Sequence, residues 1–263
     1  MKTRTYGVFL IGDSYLPGVI ALKKSIDLVG SRFPLTAFCS ECSSEAKESM
    51  KKEGILVVEV DALVPPTSIF EKNQRDGRPR WNSTFSKLGV LRMDQFEKIV
   101  LLDADMMILR NVDSLFDCLH MSAVVAGKGM HKEWVDLNSG LMVLTPSEST
   151  YDKAIEIMQR MDKDALKSYI GFGDQDVFKL LYPDWKQNSI LHLDETYNVF
   201  QDCVGPYEKK GLPLSKIGVL HFELSPKPWS YSLRDWLSVL KRAVASGSFA
   251  EFKMLKKYRG LLK

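Results

Sequence analysis

The chain has 263 residues, 45% hydrophobic and 26% charged, the balance of a soluble globular protein rather than a disordered or fibrous one. Its 36 Lys and Arg against 33 Asp and Glu leave +3 at pH 7, too even to argue for nucleic acid or an anionic membrane as partner. No apolar run approaches the roughly 20 residues of a membrane span. The basic start runs straight into a strand pattern rather than a leader, so a cytoplasmic chain is expected.

Strand and helix patterns alternate from the start, which predicts an α/β layer structure. Tyr6–Ile11 reads as a strand and Pro17–Val29 as a helix, with Pro17 in its first turn and Gly30 at its end. Leu35–Cys39 is a second strand, Ser43–Glu53 a polar helix, and Ile55–Val60 a third strand. Asp61–Arg80 then loses periodicity; Pro65, Pro66, Gly77 and Pro79 mark it as a loop rich in basic residues. Ser83–Phe96 is predicted helical, and Lys98–Leu102 is an apolar, β-branched run that reads as a buried strand. Ala123–Ala126 and Leu141–Leu144 follow as strands, Ser147–Met161 and Asp174–Leu181 as helices, the latter with Asp174 as its N-cap. Ile190–Leu193 and Ile217–His221 are late strands, and Ser232–Ala245 and Phe249–Tyr258 are terminal helices. Cys39 and Cys42 form a C-x-x-C without a second pair, which favours reduced structural thiols over a zinc site.

Asp103-Ala104-Asp105 closes the fourth strand pattern. Side chains alternate along a strand, so two aspartates one residue apart point the same way and make half of a divalent-metal site. The C-terminal ends of strands are also where open α/β sheets bind ligands. The bland alternative is a strand end with two solvated carboxylates. A further one is the nucleophilic D-x-D of haloacid-dehalogenase-type phosphatases, although here the motif sits mid-chain and lacks the usual acidic pair downstream. His221 ends a late strand, and Lys227 follows six residues on; a lone His is more often structural, but two carboxylates and an imidazole suit Mn²⁺ better than Mg²⁺. Asn138-Ser139-Gly140 offers an amide for sugar hydroxyls and a close backbone approach, or a plain turn. Gly173-Asp174-Gln175 offers a carboxylate and an amide for hydroxyls, or a helix cap.

Taken in order, these blocks resemble the family 8 glycosyltransferases, the glycogenin and galactinol synthase group. The resemblance runs from about Tyr6 to Trp229 and includes Thr84–Leu88, Leu101–Asp105, Asn111–Asp117, Leu137–Gly140, Gly173–Gln175, Tyr197-Asn198, His221-Phe222 and Lys227–Trp229. It implies a GT-A fold, a Rossmann-like mixed sheet flanked by helices in a single domain. A nucleotide-binding half (1–120) would end just past the D-x-D, and a sugar and acceptor half (121–263) would carry the terminal helices. It also implies a UDP-sugar donor, Mn²⁺, and transfer with retention. By position, Asp103, Asp105 and His221 would hold the metal. Lys227 would hold the diphosphate, and Tyr15 would stack on uracil with Leu10, Gly12 and Ala104 beside it. Lys87 would reach diphosphate and sugar; Asn138, Ser139, Gly140, Asp174 and Gln175 would surround the sugar; Arg78 would close over the diphosphate. Asp174, Gln175 and Lys87 are the catalytic expectations, with Asp174 the leading nucleophile if one exists.

Three departures bear on substrate. Leu224 and Gly171 stand where glycogenin-like members carry Gly and an acidic residue. Gly205 stands at the self-glucosylated tyrosine, with Tyr207 only nearby. Within the family, the cytoplasmic protist α-galactosyltransferases that cap a glycan on a ubiquitin-ligase adaptor subunit fit such a chain. They imply UDP-galactose as donor and a protein-linked glycan as acceptor. The alternatives are a glycogenin-like self-glucosylating initiator using UDP-glucose, transfer to a small polyol as in galactinol synthase, and a UDP-sugar-binding protein without activity. The family also implies a homodimer, for which the apolar positions of the terminal helices are candidates.

Overall fold

The computed structural model describes residues 2–262. Its centre is a seven-stranded sheet in the order β3-β2-β1-β4-β7-β6-β8, formed by β1 (Thr3–Ile11), β2 (Leu35–Ser40), β3 (Leu56–Glu59), β4 (Phe96–Leu102), β6 (Ser122–Val124), β7 (Asn138–Leu144) and β8 (His192–Leu193). The strands β3, β2, β1 and β4 run parallel, β7 is antiparallel to both β4 and β6, and β8 is parallel to β6. A second sheet joins β5 (Met106–Ile108), β10 (Val219–His221) and β9 (Val199–Phe200). The large sheet takes strands from both sides of residue 120, so the core is not divided there.

Two-sided burial explains the apolar runs. On β4, Ile99 and Leu101 enter one apolar cluster and Val100 and Leu102 the other. A Cβ at Gly7, beside them on β1, would come within 2.6 Å of Ile99. Helix α1 (Leu16–Leu28) covers one face with Val19, Leu22 and Ile26, and α5 (Glu148–Gln159) and α6 (Asp174–Leu181) contribute Ala154, Met158, Val177 and Phe178 to the other. The remaining helices are α2 (Ser44–Lys52), α3 (Thr67–Arg75), the single-turn α4 (Trp81–Thr84), α7 (Val204–Lys209), α8 (Leu233–Ser246) and α9 (Ala250–Leu261). Cys39 and Cys42 are buried free thiols, and burial pushes Cys39 up to about 12.

Three sequence expectations are corrected, and three short elements were not anticipated. Asp61–Arg80 is not all loop: α3 lies within it, held by buried Ile69 and Asn73, four residues apart. Asn73 pairs through both amide atoms with the backbone of Phe172, at 2.7 and 2.9 Å, so a polar anchor replaces the apolar stripe that periodicity detects. Ser83–Phe96 is not one α-helix but α4 followed by a tight 3₁₀ segment, Phe85–Arg92. Phe85, Ser86, Leu88, Gly89, Val90 and Leu91 are buried on every side of it, and Gly89 and Val90 favour an α-helix least. Asp174 is the first residue of α6 rather than its cap; Gly173 occupies that position, and its N–H donates to Asp176 at 3.0 Å. Strands β5 and β9 and helix α7 are too short to leave a periodic trace.

Candidate active site

The strand order turns back between β1 and β4, the switch point at which α/β sheets open a crevice beyond their carboxyl ends. A cleft of about 720 Å³ lies there. Leu10, Tyr15, Lys87, Asp103, Ala104, Asp105, Lys227 and Trp229 line it. A Cβ at Gly18 would strike Trp229 at 2.9 Å, so the bare helix α1 lets that ring in. Tyr15 meets Trp229 edge to face at 5.2 Å. Gly12, just past β1, has φ +60, a conformation glycine adopts without strain.

Asp103 and Asp105 lie in the turn between β4 and β5, not on an extended strand: Met106 N donates to Asp103 O at 3.2 Å. The turn, rather than strand alternation, brings the carboxylates together. His221 arrives from β10, which pairs antiparallel with β5 so that His221 faces Met106. Phe222 N then donates to Asp105 O at 2.8 Å. The ligand atoms of Asp103, Asp105 and His221 lie within 4.8 Å of one another, and His221 Nε2 is 3.3 Å from Asp105 and 3.8 Å from Asp103.

A chain of amides orients that imidazole. Gly140 N–H donates to Asn138 Oδ1 at 2.9 Å, which fixes this oxygen as an acceptor. Asn198 Nδ2 donates to the same oxygen at 2.9 Å, so Asn198 Oδ1 is turned to His221 Nδ1 at 3.1 Å. An acceptor there favours the Nδ1–H, so that Nε2, on the side of the carboxylates, is the nitrogen that would be given up to a cation, the arrangement of a metal-binding histidine. Two carboxylates and one neutral imidazole nitrogen fit a divalent first-row cation such as Mn²⁺.

Two lysines complete the charge. Lys87 Nζ lies 2.5 Å from Asp103 and 3.6 Å from Asp174; Lys227 Nζ lies 2.7 Å from Asp105 and donates to the carbonyls of Phe222 and Glu223. Burial alone would raise Asp105, but the charges of His221 and Lys227 hold its carboxyl below the usual carboxylate range. Burial keeps Asp103 above it, against the pull of Lys87. Burial disfavours the charged forms of Lys87 and His221, and the surrounding carboxylates overcome this and raise both.

Asp174 and Gln175 open α6, and Asn138 and Ser139 open β7. Asp174 N is held by Thr84 Oγ1 at 3.2 Å, and its buried Oδ2 has no hydrogen-bond donor. Gln175 Oε1 accepts from Ser139 N at 3.0 Å. Of the expected residues, Gly12, Arg78, Asn138, Ser139, Gly140, Asp174, Gln175 and His221 are not part of the cleft lining; Arg78 sits over the ring of Trp81 at 5.4 Å, and Arg80 lines the cleft instead. Sequence reasoning assigned no role to Trp229, Thr84 or Asn198. The last two act through hydrogen bonds to distant residues, which carry no local signal.

The model of Glycosyl transferase family 8 matches residues 8–232. Galactinol synthase 7 of Arabidopsis thaliana is 32% identical over 265 aligned residues, covering 88% of this chain and 75% of that protein. Inositol phosphorylceramide glucuronosyltransferase 1 of the same plant is 30% identical over 251 residues, 88% of this chain but 42% of its own length, so the chain spans less than half of that relative. Among solved structures, the galactosyltransferase LgtC superposes with a TM-score of 0.57 over 98% of this chain and 95% of its own, at 14% identity, which shows the GT-A fold. With the family model matched from β1 to the start of α8, the chain belongs to glycosyltransferase family 8.

Proposed function

We propose that the chain is a divalent-metal-dependent, retaining hexosyltransferase that moves a sugar, galactose first, from its UDP conjugate to a hydroxyl of a separate, glycan-bearing acceptor in the cytoplasm. The observation that carries this reading is the convergence of Asp103, Asp105 and the oriented Nε2 of His221 on the floor of a nucleotide-sized cleft between two lysines. Asp103, Asp105 and His221 would hold the cation, preferentially Mn²⁺, which as a Lewis acid favours departure of UDP. Lys227 and Lys87 set fixed positive charge where the leaving diphosphate gains negative charge. Tyr15 and Trp229 offer aromatic surface to the uracil, with Leu10, Gly12 and Ala104 beside them.

The bond from the sugar's anomeric carbon to the β-phosphate oxygen breaks with its electron pair on UDP, a bond to the acceptor oxygen forms on the same face, and the acceptor hydroxyl's proton passes to the departing phosphate oxygen. Asp174 is the leading candidate to steady the cationic carbon or attack it, because its Oδ2 is buried without a hydrogen bond, with only the Lys87 ammonium nearby at 3.6 Å. Gln175 is second, since Ser139 already occupies its oxygen.

A separate acceptor is supported by Tyr207. Its ring is 5% exposed and its hydroxyl donates to Glu195, so it is not placed to be glycosylated by its own chain. No helix of the described residues is long and apolar enough to cross a membrane. The homodimer finds support in Leu233, Leu237, Leu240 and Val244, which recur on one exposed stripe of α8.

The test is UDP release from a panel of UDP-sugars with Mn²⁺ and with chelator, followed by the intact mass of the protein. Chelator-sensitive turnover of UDP-galactose with no gain in mass is expected. Turnover of UDP-glucose with hexose-sized increments would overturn the reading in favour of self-glucosylation.

A further inference from the structure

A second cavity, of about 390 Å³, opens beside the His221 cluster, which its wall residue Phe200 touches. Asn138 and Gln175 line it, and its other walls include Trp134, Phe200, Leu137 and Glu133. Trp134 is the unusual member. It is a large aromatic kept 39% exposed, yet its ring is firmly seated. It stacks on His131 at 4.2 Å with 16° between the planes, and Phe200 meets it edge to face at 6.2 Å. Its far edge fills the space over Gly127, where φ is +79 and a Cβ would come within 2.5 Å of the ring.

The loop that carries Trp134 is anchored. Gly129 N donates to both Glu195 carboxylate oxygens at 2.7 Å, and Gly129 O accepts from Lys210 at 2.9 Å. A rigid aromatic face, half open to solvent beside a reactive cleft, is the surface that takes the C–H face of a pyranose ring. The polar groups around it match a sugar's hydroxyls. Asn138 Oδ1 is already doubly engaged and Gln175 Oε1 accepts one bond from Ser139 N, so both side chains turn N–H donors to the cavity. Glu133 supplies an acceptor, while Asp136 is drawn off by Lys186 at 2.8 Å. Phe200 also lies 5.6 Å from the ring of His221, which sets the cavity next to the metal cluster.

We propose that this cavity is the acceptor subsite and that it takes a neutral hexopyranose ring stacked on Trp134. The proposal rests on the transferase reading above. The test is saturation-transfer NMR on the full chain with UDP and Mg²⁺, using methyl α-glucopyranoside and methyl β-galactopyranoside as probes, in wild type, Trp134→Ala and Trp134→Phe. UDP affinity is measured on the same three proteins by calorimetry with Mn²⁺. Transfer to ring protons of at least one glycoside is expected in the wild type. It falls about tenfold in Trp134→Ala and less in Trp134→Phe, the size of one stacking contact, with UDP affinity unchanged. Equal transfer in all three proteins, or none in a wild type that binds UDP, would overturn the subsite and leave the donor site standing. A wild type that binds no UDP would remove the transferase reading and the subsite with it.

Discussion

Asn198 is fully buried and touches neither cleft nor solvent, yet it should control the metal site. Replacing it with alanine leaves the His221 Nδ1–H without its acceptor and frees the ring to rotate or to carry its proton on Nε2, where it blocks coordination. Losing the partner of a buried donor costs about 1–3 kcal/mol. Removal of such an outer partner lowers metal affinity by about 10- to 100-fold, or roughly 1.4–2.7 kcal/mol. Asn138 Oδ1 keeps the Gly140 N–H at 2.9 Å, so the damage stays local to His221. Asn198→Asp is the informative companion. It preserves an acceptor for Nδ1 but sets a carboxylate oxygen against Asn138 Oδ1, so it should retain more affinity than alanine while losing some stability. The assay is calorimetric titration of Mn²⁺ into the UDP-bound protein, with a thermal unfolding curve for each variant. If Asn198→Ala binds Mn²⁺ within about twofold of wild type while remaining folded, the amide chain does not orient the histidine and the argument fails.

Asp105→Asn should abolish Mn²⁺-dependent UDP release and leave the thermal midpoint near wild type; an active variant would remove Asp105 from the metal set. Asp174→Asn should lower kcat by about 100-fold or more with little change in donor KM, the pattern of an interaction made in the transition state; unchanged kcat would take Asp174 out of the chemistry. Asp113 tests scaffold rather than site. Burial alone would raise its carboxyl, but donors from Ser31, Arg32 N and Tyr6 hold it below the usual range. A depressed native value means its contribution is complete above the unfolded carboxylate value of about 4 and is lost as pH falls through the native one. Asp113→Asn should therefore cost about 2 kcal/mol at pH 7 and much less at pH 3, read from urea midpoints; an equal gap at both pH values would contradict this.

The α/β alternation was readable because β1, β2 and β4 are buried on both faces and α1 shows a single apolar side. Sequence reading failed where polar groups or short elements do the anchoring. Asn73 fixes α3 through a backbone pair 99 residues away, and β5 and β9 run only three and two residues. The Asn111–Asp117 block resembled part of a functional family pattern. Here Asn111 Oδ1 accepts from Asp113 N at 2.9 Å, and Asp113 ties β1, through Tyr6, to the turn at Ser31. Its role in this chain is to hold the first strand to that turn.

The site was legible wherever a residue's chemistry is visible in its own neighbourhood. Asp103, Asp105, His221 and Lys227 were expected together and are together. What the sequence concealed is how they are coupled. The small sheet carries that coupling: β10 delivers His221 to the aspartates, and the segment Asn198–Phe200 beside it supports the imidazole twice. Asn198 takes its proton and Phe200 packs on its ring. The same segment reaches outward, Asn198 to Asn138 and Phe200 to Trp134. A cation binding at His221 Nε2 thus favours the ring orientation that also keeps Asn138 turned with its N–H groups toward the sugar. The proposed cation and acceptor sites share one connected set of contacts, so a substitution in the segment 198–200 should change metal affinity and acceptor affinity together, whereas one at Tyr15 should change only the nucleotide's.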